Sequence, residues 1–152
     1  MSTHIAIADA VVAELQTETW SQSITAVRTY VPKIVAAQLV TDSIEARVVA
    51  GEAVGAITTR AGEGEHTYKV YVGLYKKLED PAALELGTDL SEGDAMMDLM
   101  EEIADDFAGF SVEGDGFVAP CLEVETVPFQ IVLAQRQKLW GGSMTLTFGV
   151  VR

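Results

Sequence analysis

The sequence predicts an α+β domain in which two principal helices pack on one face of a mainly antiparallel or mixed β-sheet. Three observations carry this. Apolar residues recur at helical spacing in only two long stretches, near residues 4–17 and 91–107. Strand-like alternation dominates the segments between and after them. The resulting order is helix, two or three strands around a hairpin, helix, then three strands. It lacks the strand–helix repetition of a doubly wound fold. The 152 residues, 49% of them hydrophobic, suit a single domain spanning 1–152 with a real core.

The first helix is expected over about 4–17, where Ile5, Ala8, Val11, Val12 and Leu15 form one apolar stripe and Ser2 or Thr3 caps the start. ITAVRTYVPKI reads as a strand that Pro32 ends or confines to an edge. Residues 44–60 read as a strand, a break around Gly51 and a less regular continuation. AGEGEH supplies a hairpin loop. It leads into HTYKVYVGLYKKL, where Tyr68, Val70, Val72 and Leu74 share one face and Tyr71 and Tyr75 the other. The 79–90 stretch reads as a linker.

The second helix, SEGDAMMDLMEEIADDF, buries Met96, Leu99, Met100, Ile103 and Phe107, with Ser91 and Asp94 as a weak capping box. Its surface is entirely acidic, so the buried stripe must hold it. FVAPCLEVETV, FQIVLAQ and MTLTFGVV read as strands. Pro120 and Pro128 favour bends, bulges or edges, and Gly141–Gly142 is expected to turn the chain before the last strand.

The motifs of chemistry are missing. His4 and His66 stand alone, outside any metal-binding spacing, and no Gly-Lys-Ser/Thr follows the glycines of GEGEH or EGDG. The serines lack a nucleophile elbow, and the lone Cys121 allows neither an internal disulfide nor a cysteine zinc site. No catalytic residue, metal ligand or cofactor site is expected. The N-terminus has no signal-like pattern and no apolar run suits a bilayer, so no membrane partner is expected.

Charge is the strongest signal. The formal net charge is -13. Residues 1–77 carry seven basic and eight acidic side chains, whereas 78–135 carry fifteen acidic ones and no basic one. Such a block opposes tight docking on nucleic acid, which draws on clustered Lys and Arg.

Four segments together, IAIADAVVAEL, ITAVRTYVPKI, HTYKVYVGLYKKL and MMDLMEEIADDF with the terminal SMTLTFGVVR, give the sequence a wider likeness. It resembles the small neck proteins of long-tailed bacteriophages, the tail terminators or head–tail joining proteins. The resemblance implies a tail-terminator-like fold and a six-fold ring of identical subunits. The ring caps the completed tail tube, joins it to the head connector or stopper, and lets genomic DNA pass without specific binding. It further implies no catalysis and no cofactor, with residence at the neck of the virion after assembly in the host cytoplasm. On this reading Glu92, Asp94, Asp98, Glu101, Glu102, Asp105 and Asp106 are candidates for a channel-facing acidic wall. Arg28, Arg47, Lys69, Tyr71, Tyr75, Lys76 and Lys77 become candidate contacts between subunits, and the loop bearing Arg60, Glu63 and Glu65 a docking element. The alternatives are a connector adaptor, stopper or tube subunit, then a small acidic enzyme or a DNA-mimicking inhibitor.

Overall fold

The computed structural model describes residues 2–30, 44–57, 64–127 and 139–151. It contains α1 (Thr3–Thr17), β1 (Ile24–Arg28), β2 (Ile44–Ile57), β3 (Gly64–Lys77), α2 (Pro81–Leu86), α3 (Ser91–Ala108), β4 (Ser111–Gly114), β5 (Phe117–Val127) and β6 (Leu139–Val151). The strands form one six-stranded sheet in the order β1-β2-β3-β6-β5-β4. Only β1 and β2 run parallel; the other neighbours are antiparallel. The α+β expectation therefore holds at the level of a mixed, mostly antiparallel sheet with helices against it.

Register explains which side the helices cover. Ala46 pairs with Leu74, Val48 with Val72, Val70 with Leu146 and Tyr68 with Phe148, so alternate positions form one continuous apolar face. Against it α1 buries Ile7, Ala8, Val11 and Leu15, and α3 buries Met96, Leu99, Met100, Ile103 and Phe107. The α3 stripe is the one its periodicity predicts. In α1 the spacing missed Ile7, which is fully buried, whereas Ile5 and Val12 are only partly so. Phe107 meets Phe110 edge-on at 5.1 Å, and Phe110 meets Phe148 the same way at 6.5 Å, which ties the end of α3 to the C-terminal part of β6.

Several local expectations are corrected. Gly141–Gly142 makes no turn: both lie inside β6, opposite Tyr75 and Leu74, where two large side chains of β3 face two small positions. The break at Gly51 is a register shift between Ala50 and Ala53 within one continuous β2. Ser91 does not cap α3. The cap position is Leu90, and the Ser91 hydroxyl instead donates to Asp89 Oδ1 at 2.7 Å. Ser2 occupies the cap position of α1 without a side-chain hydrogen bond. The 79–90 stretch contains α2, whose signals stand in the sequence. Asp80 accepts from Ala83 N at 3.1 Å, Pro81 opens the helix, and Gly87 closes it in the left-handed region at φ 73. His66 lies in β3, opposite Gly55 and Val150.

Pro120 falls where its missing N–H is tolerated, one residue before β5 begins to pair with β6 at Cys121, and a register shift follows between Cys121 and Glu123. The chain-terminal strand is not at an edge. β6 pairs with β3 along thirteen positions and with β5 on its other side, so the last residues hold the middle of the sheet. Of the expected hairpin loop AGEGEH, Gly64, Glu65 and His66 belong to β3 and residues 61–63 lie outside the described residues, as do 31–43, Pro128 and all of FQIVLAQ.

Candidate functional site

The three helices carry, among the described residues, no Lys or Arg. Among the described residues the cations Arg28, Arg47, Lys69, Lys76 and Lys77 all lie on strands β1, β2 and β3. The helical layer is thus acidic and the adjoining strands hold the positive charge.

The seven acidic residues of α3 divide into two groups. Glu92, Glu102 and Asp106 turn toward the body of the protein. Glu92 reaches Lys76 Nζ at 3.5 Å and also accepts from Glu79 N at 3.1 Å. Glu102 accepts from Ser21 N at 2.9 Å, which fixes the segment leaving α1 to the side of α3. Asp94, Asp98, Glu101 and Asp105 are exposed. With Met97 on the same helix and Leu90 at its cap, both half-exposed, they make its outward surface.

Asp106 belongs to a cluster that joins two helices. One carboxylate oxygen each from Glu14, Glu18 and Asp106 lies within 4.8 Å of the others. Asp106 Oδ2 is buried and receives no hydrogen bond from the described residues. Burial first, then a hydrogen bond and repulsion from Asp106, then repulsion from Glu18, push Glu14 up to about 7. A proton on Glu14 supplies the missing bond to Asp106. Three hard oxygen donors at this spacing also suit a divalent cation such as Mg²⁺ or Ca²⁺. The sequence reading missed Glu14 and Glu18. Their i, i+4 spacing was visible as a like-charge pair, but Asp106 joins them only through the packing of α3 beside α1.

The candidate subunit-contact residues fall on both sides of the sheet. Arg28 and Lys76 face the helices, and each holds one: Arg28 donates from Nε to Asp9 of α1 at 2.7 Å, and Lys76 meets Glu92 of α3. Arg47, Lys69, Tyr71, Tyr75 and Lys77 occupy the alternate face. Arg47 pairs with Glu45 beside it, and Lys69 with Glu52 at 3.9 Å. The Tyr71 ring lies over Gly51 and the Tyr75 ring over Gly73, so a side chain at either glycine would strike an aromatic ring. Burial pushes the Tyr75 phenol up, with Arg47 opposing the rise. Of the expected docking loop, Arg60 and Glu63 lie outside the described residues, and Glu65 stands near the start of β3, opposite Ala56 and Val151.

The isolated chemical groups are engaged locally. His4 Nε2 lies 2.8 Å from Lys69 O with its ring against Tyr68. Cys121 is half-buried, its Sγ donates to Glu123 O at 3.6 Å, and burial pushes the thiol up, away from thiolate chemistry. An apolar groove of about 780 Å³ lies at one end of the sheet between His66, Phe117, Val118, Leu122 and Val150. No helix among the described residues is long and apolar enough to cross a membrane. No protein-family model matches the chain, and no curated protein matches it.

Proposed function

We propose that this chain is a structural neck protein of a long-tailed bacteriophage, a tail terminator that forms a six-fold ring. The ring caps the finished tail tube, joins it to the head connector and lets DNA through. One observation supports this most: among the described residues the helices are acidic and carry no Lys or Arg, whereas strands β1, β2 and β3 carry the cations.

A surface that DNA must slide past has opposite requirements from one that binds it. Clustered cations would release counterions from the duplex and hold it, whereas carboxylates repel phosphate at distances up to about a Debye length, ~8 Å at physiological salt. Asp94, Asp98, Glu101 and Asp105 point outward from α3 and are the groups assigned to this wall; Glu92, Glu102 and Asp106 serve the fold instead. No catalytic step and no cofactor are assigned, and the proposed partners are further copies of the chain, the tube protein and the connector or stopper.

The test is electron microscopy of the purified protein mixed with unfinished tail tubes. Six-fold rings seated at one tube end are expected. Long tubes built from this chain alone would make it a tube subunit, and particles that never engage tube ends would overturn the terminator reading. A density map of the seated ring then locates the wall: α3 on the outer circumference would overturn its role beside DNA.

A further inference from the structure

The two ends of the sheet differ in kind. Among the described residues β4 covers β5 only from Phe117 to Pro120, and Cys121 N adds one bond to Phe110 O. Beyond that point the outer edge of β5 has no described strand beside it. Its side chains are exposed: Leu122 to 63%, with Glu123 and Glu125 after it, in no ion pair with a described residue. At the other end β1 is a five-residue edge strand, followed by Tyr30, exposed to 72%. The guanidinium carbon of Arg28 sits 5.3 Å from the Tyr30 ring centroid, and its Nε is committed to Asp9.

The strand order sets these ends at opposite sides of one subunit. The β4–β5 hairpin has four acidic residues and no basic one, while all the described Lys and Arg residues lie on β1, β2 and β3. Pairing β5 with β5 of a second copy would set Glu123 and Glu125 against themselves, which is repulsive. Pairing β1 with β1 would oppose two Arg28 corners. Pairing β5 with β1 sets Glu123 and Glu125 against no like charge on that strand, whose Arg28 is already paired with Asp9, and brings the exposed Leu122 and Tyr30 together.

We infer that the outer edge of β5 docks head-to-tail on the Arg28–Tyr30 corner of a second copy of this chain. The contact runs through side chains more than through a backbone ladder, because Gln16 Nε2 of α1 already donates to Ala26 O on β1 at 2.9 Å. A head-to-tail contact uses two different patches, so repeated copies close into a ring when the rotation allows it. The inference rests on the ring reading for that closure only.

The test uses the full chain in a Cys121→Ser background, with Tyr30→Cys and Leu122→Cys made as separate proteins and treated with a short bis-maleimide. The mixture is expected to give about tenfold more cross-linked dimer than either variant alone, the ratio that a preference of ~1.4 kcal/mol produces. Adding Glu123→Lys and Glu125→Lys to the Leu122→Cys protein removes the excess. Cross-linking of Leu122→Cys with itself, or none in the mixture at any concentration, overturns the inference. Native mass of the uncross-linked protein separates the two claims. Rings without the 30–122 cross-link refute the contact and leave the ring; the cross-link in open chains or dimers keeps the contact and refutes the ring.

Discussion

Replacing Glu14 by Gln should stabilise this protein at pH 8 and leave it unchanged at pH 4.5. The Glu14 carboxyl has its pKa raised from 4.5 to about 7, first by burial and then by Asp106 and Glu18. Below about 4.5 the folded and unfolded chains both hold the proton, so the site contributes no difference. Between 4.5 and about 7 only the folded chain holds it, and stability falls as pH rises. Above 7 the loss is complete, because the folded protein must then keep an ionised Glu14 beside two other carboxylates. At full coupling the displacement from 4.5 to about 7 corresponds to about 3.4 kcal/mol. Glu18 is exposed and water reaches the rim of the cluster, so screening leaves ~1–2 kcal/mol.

The amide introduced by Glu14→Gln would be neutral at every pH and able to donate to the unsatisfied Asp106 Oδ2. Thermal unfolding followed by circular dichroism, in the presence of a chelator, reads the effect. For a chain of this length ~1–2 kcal/mol raises Tm by about 2–8 °C at pH 8. Asp106→Asn should reproduce most of the gain, and the double variant should add little to either, since each change removes the same repulsion. An equal shift at both pH values, or a lower Tm for Glu14→Gln at pH 8, would refute the reasoning.

Three further perturbations probe the fold around the site. Lys76→Met should lower stability by ~1–3 kcal/mol in urea titration, because Glu92 would stay half-buried with its charge uncompensated; Lys76→Met with Glu92→Gln should recover most of the loss. Phe107→Ala should cost about 3–5 kcal/mol, since Phe107 is fully buried and carries the edge-on contact to Phe110, and the near-ultraviolet dichroism of the aromatic cluster should weaken with it. Gly116→Ala should cost ~1–2 kcal/mol, with φ 78 in the left-handed region and nothing within 4 Å of the added carbon, so that Gly116→Asn costs less than Gly116→Ala if backbone conformation alone is responsible.

What the sequence made legible followed from single-element patterns. The stripe of α3 and the two faces of β3 are local periodicities, and the packing used them as written. Gly141–Gly142 misled because glycine is ambiguous: a pair of them marks a turn or a place where large neighbours need room, and only the register with Tyr75 and Leu74 decides. α2 was missed although Asp80, Pro81 and Gly87 all signalled it, because its acidic and glycine-rich surroundings read as a linker. The Glu14–Asp106 encounter was not legible at all. It joins residues 92 positions apart through the way two helices pack, and no window along one helix contains it.

The acidic block also changes meaning once its residues have positions. Along the chain it is one unbroken run of fifteen carboxylates, which invites a single explanation. In the fold it separates into parts with different work. Glu92 and Glu102 hold strand and loop to α3; Asp80 caps α2; Asp106 lies against Glu14 and Glu18 of α1 and the turn after it; Glu123 and Glu125 mark a sheet edge with no described strand beside it. On α3 only Asp94, Asp98, Glu101 and Asp105 are left as a surface whose sole evident property is negative charge. A wall beside DNA needs no more than that, since repulsion of phosphate requires neither shape nor register. The proposed function then has a specific consequence: in the ring it postulates, neutralising those four should change how DNA moves through and leave folding intact, whereas neutralising Glu92, Glu102 or Asp80 should do the reverse. A variant of the first group that unfolds, or of the second that only alters DNA passage, would show that this division is drawn in the wrong place.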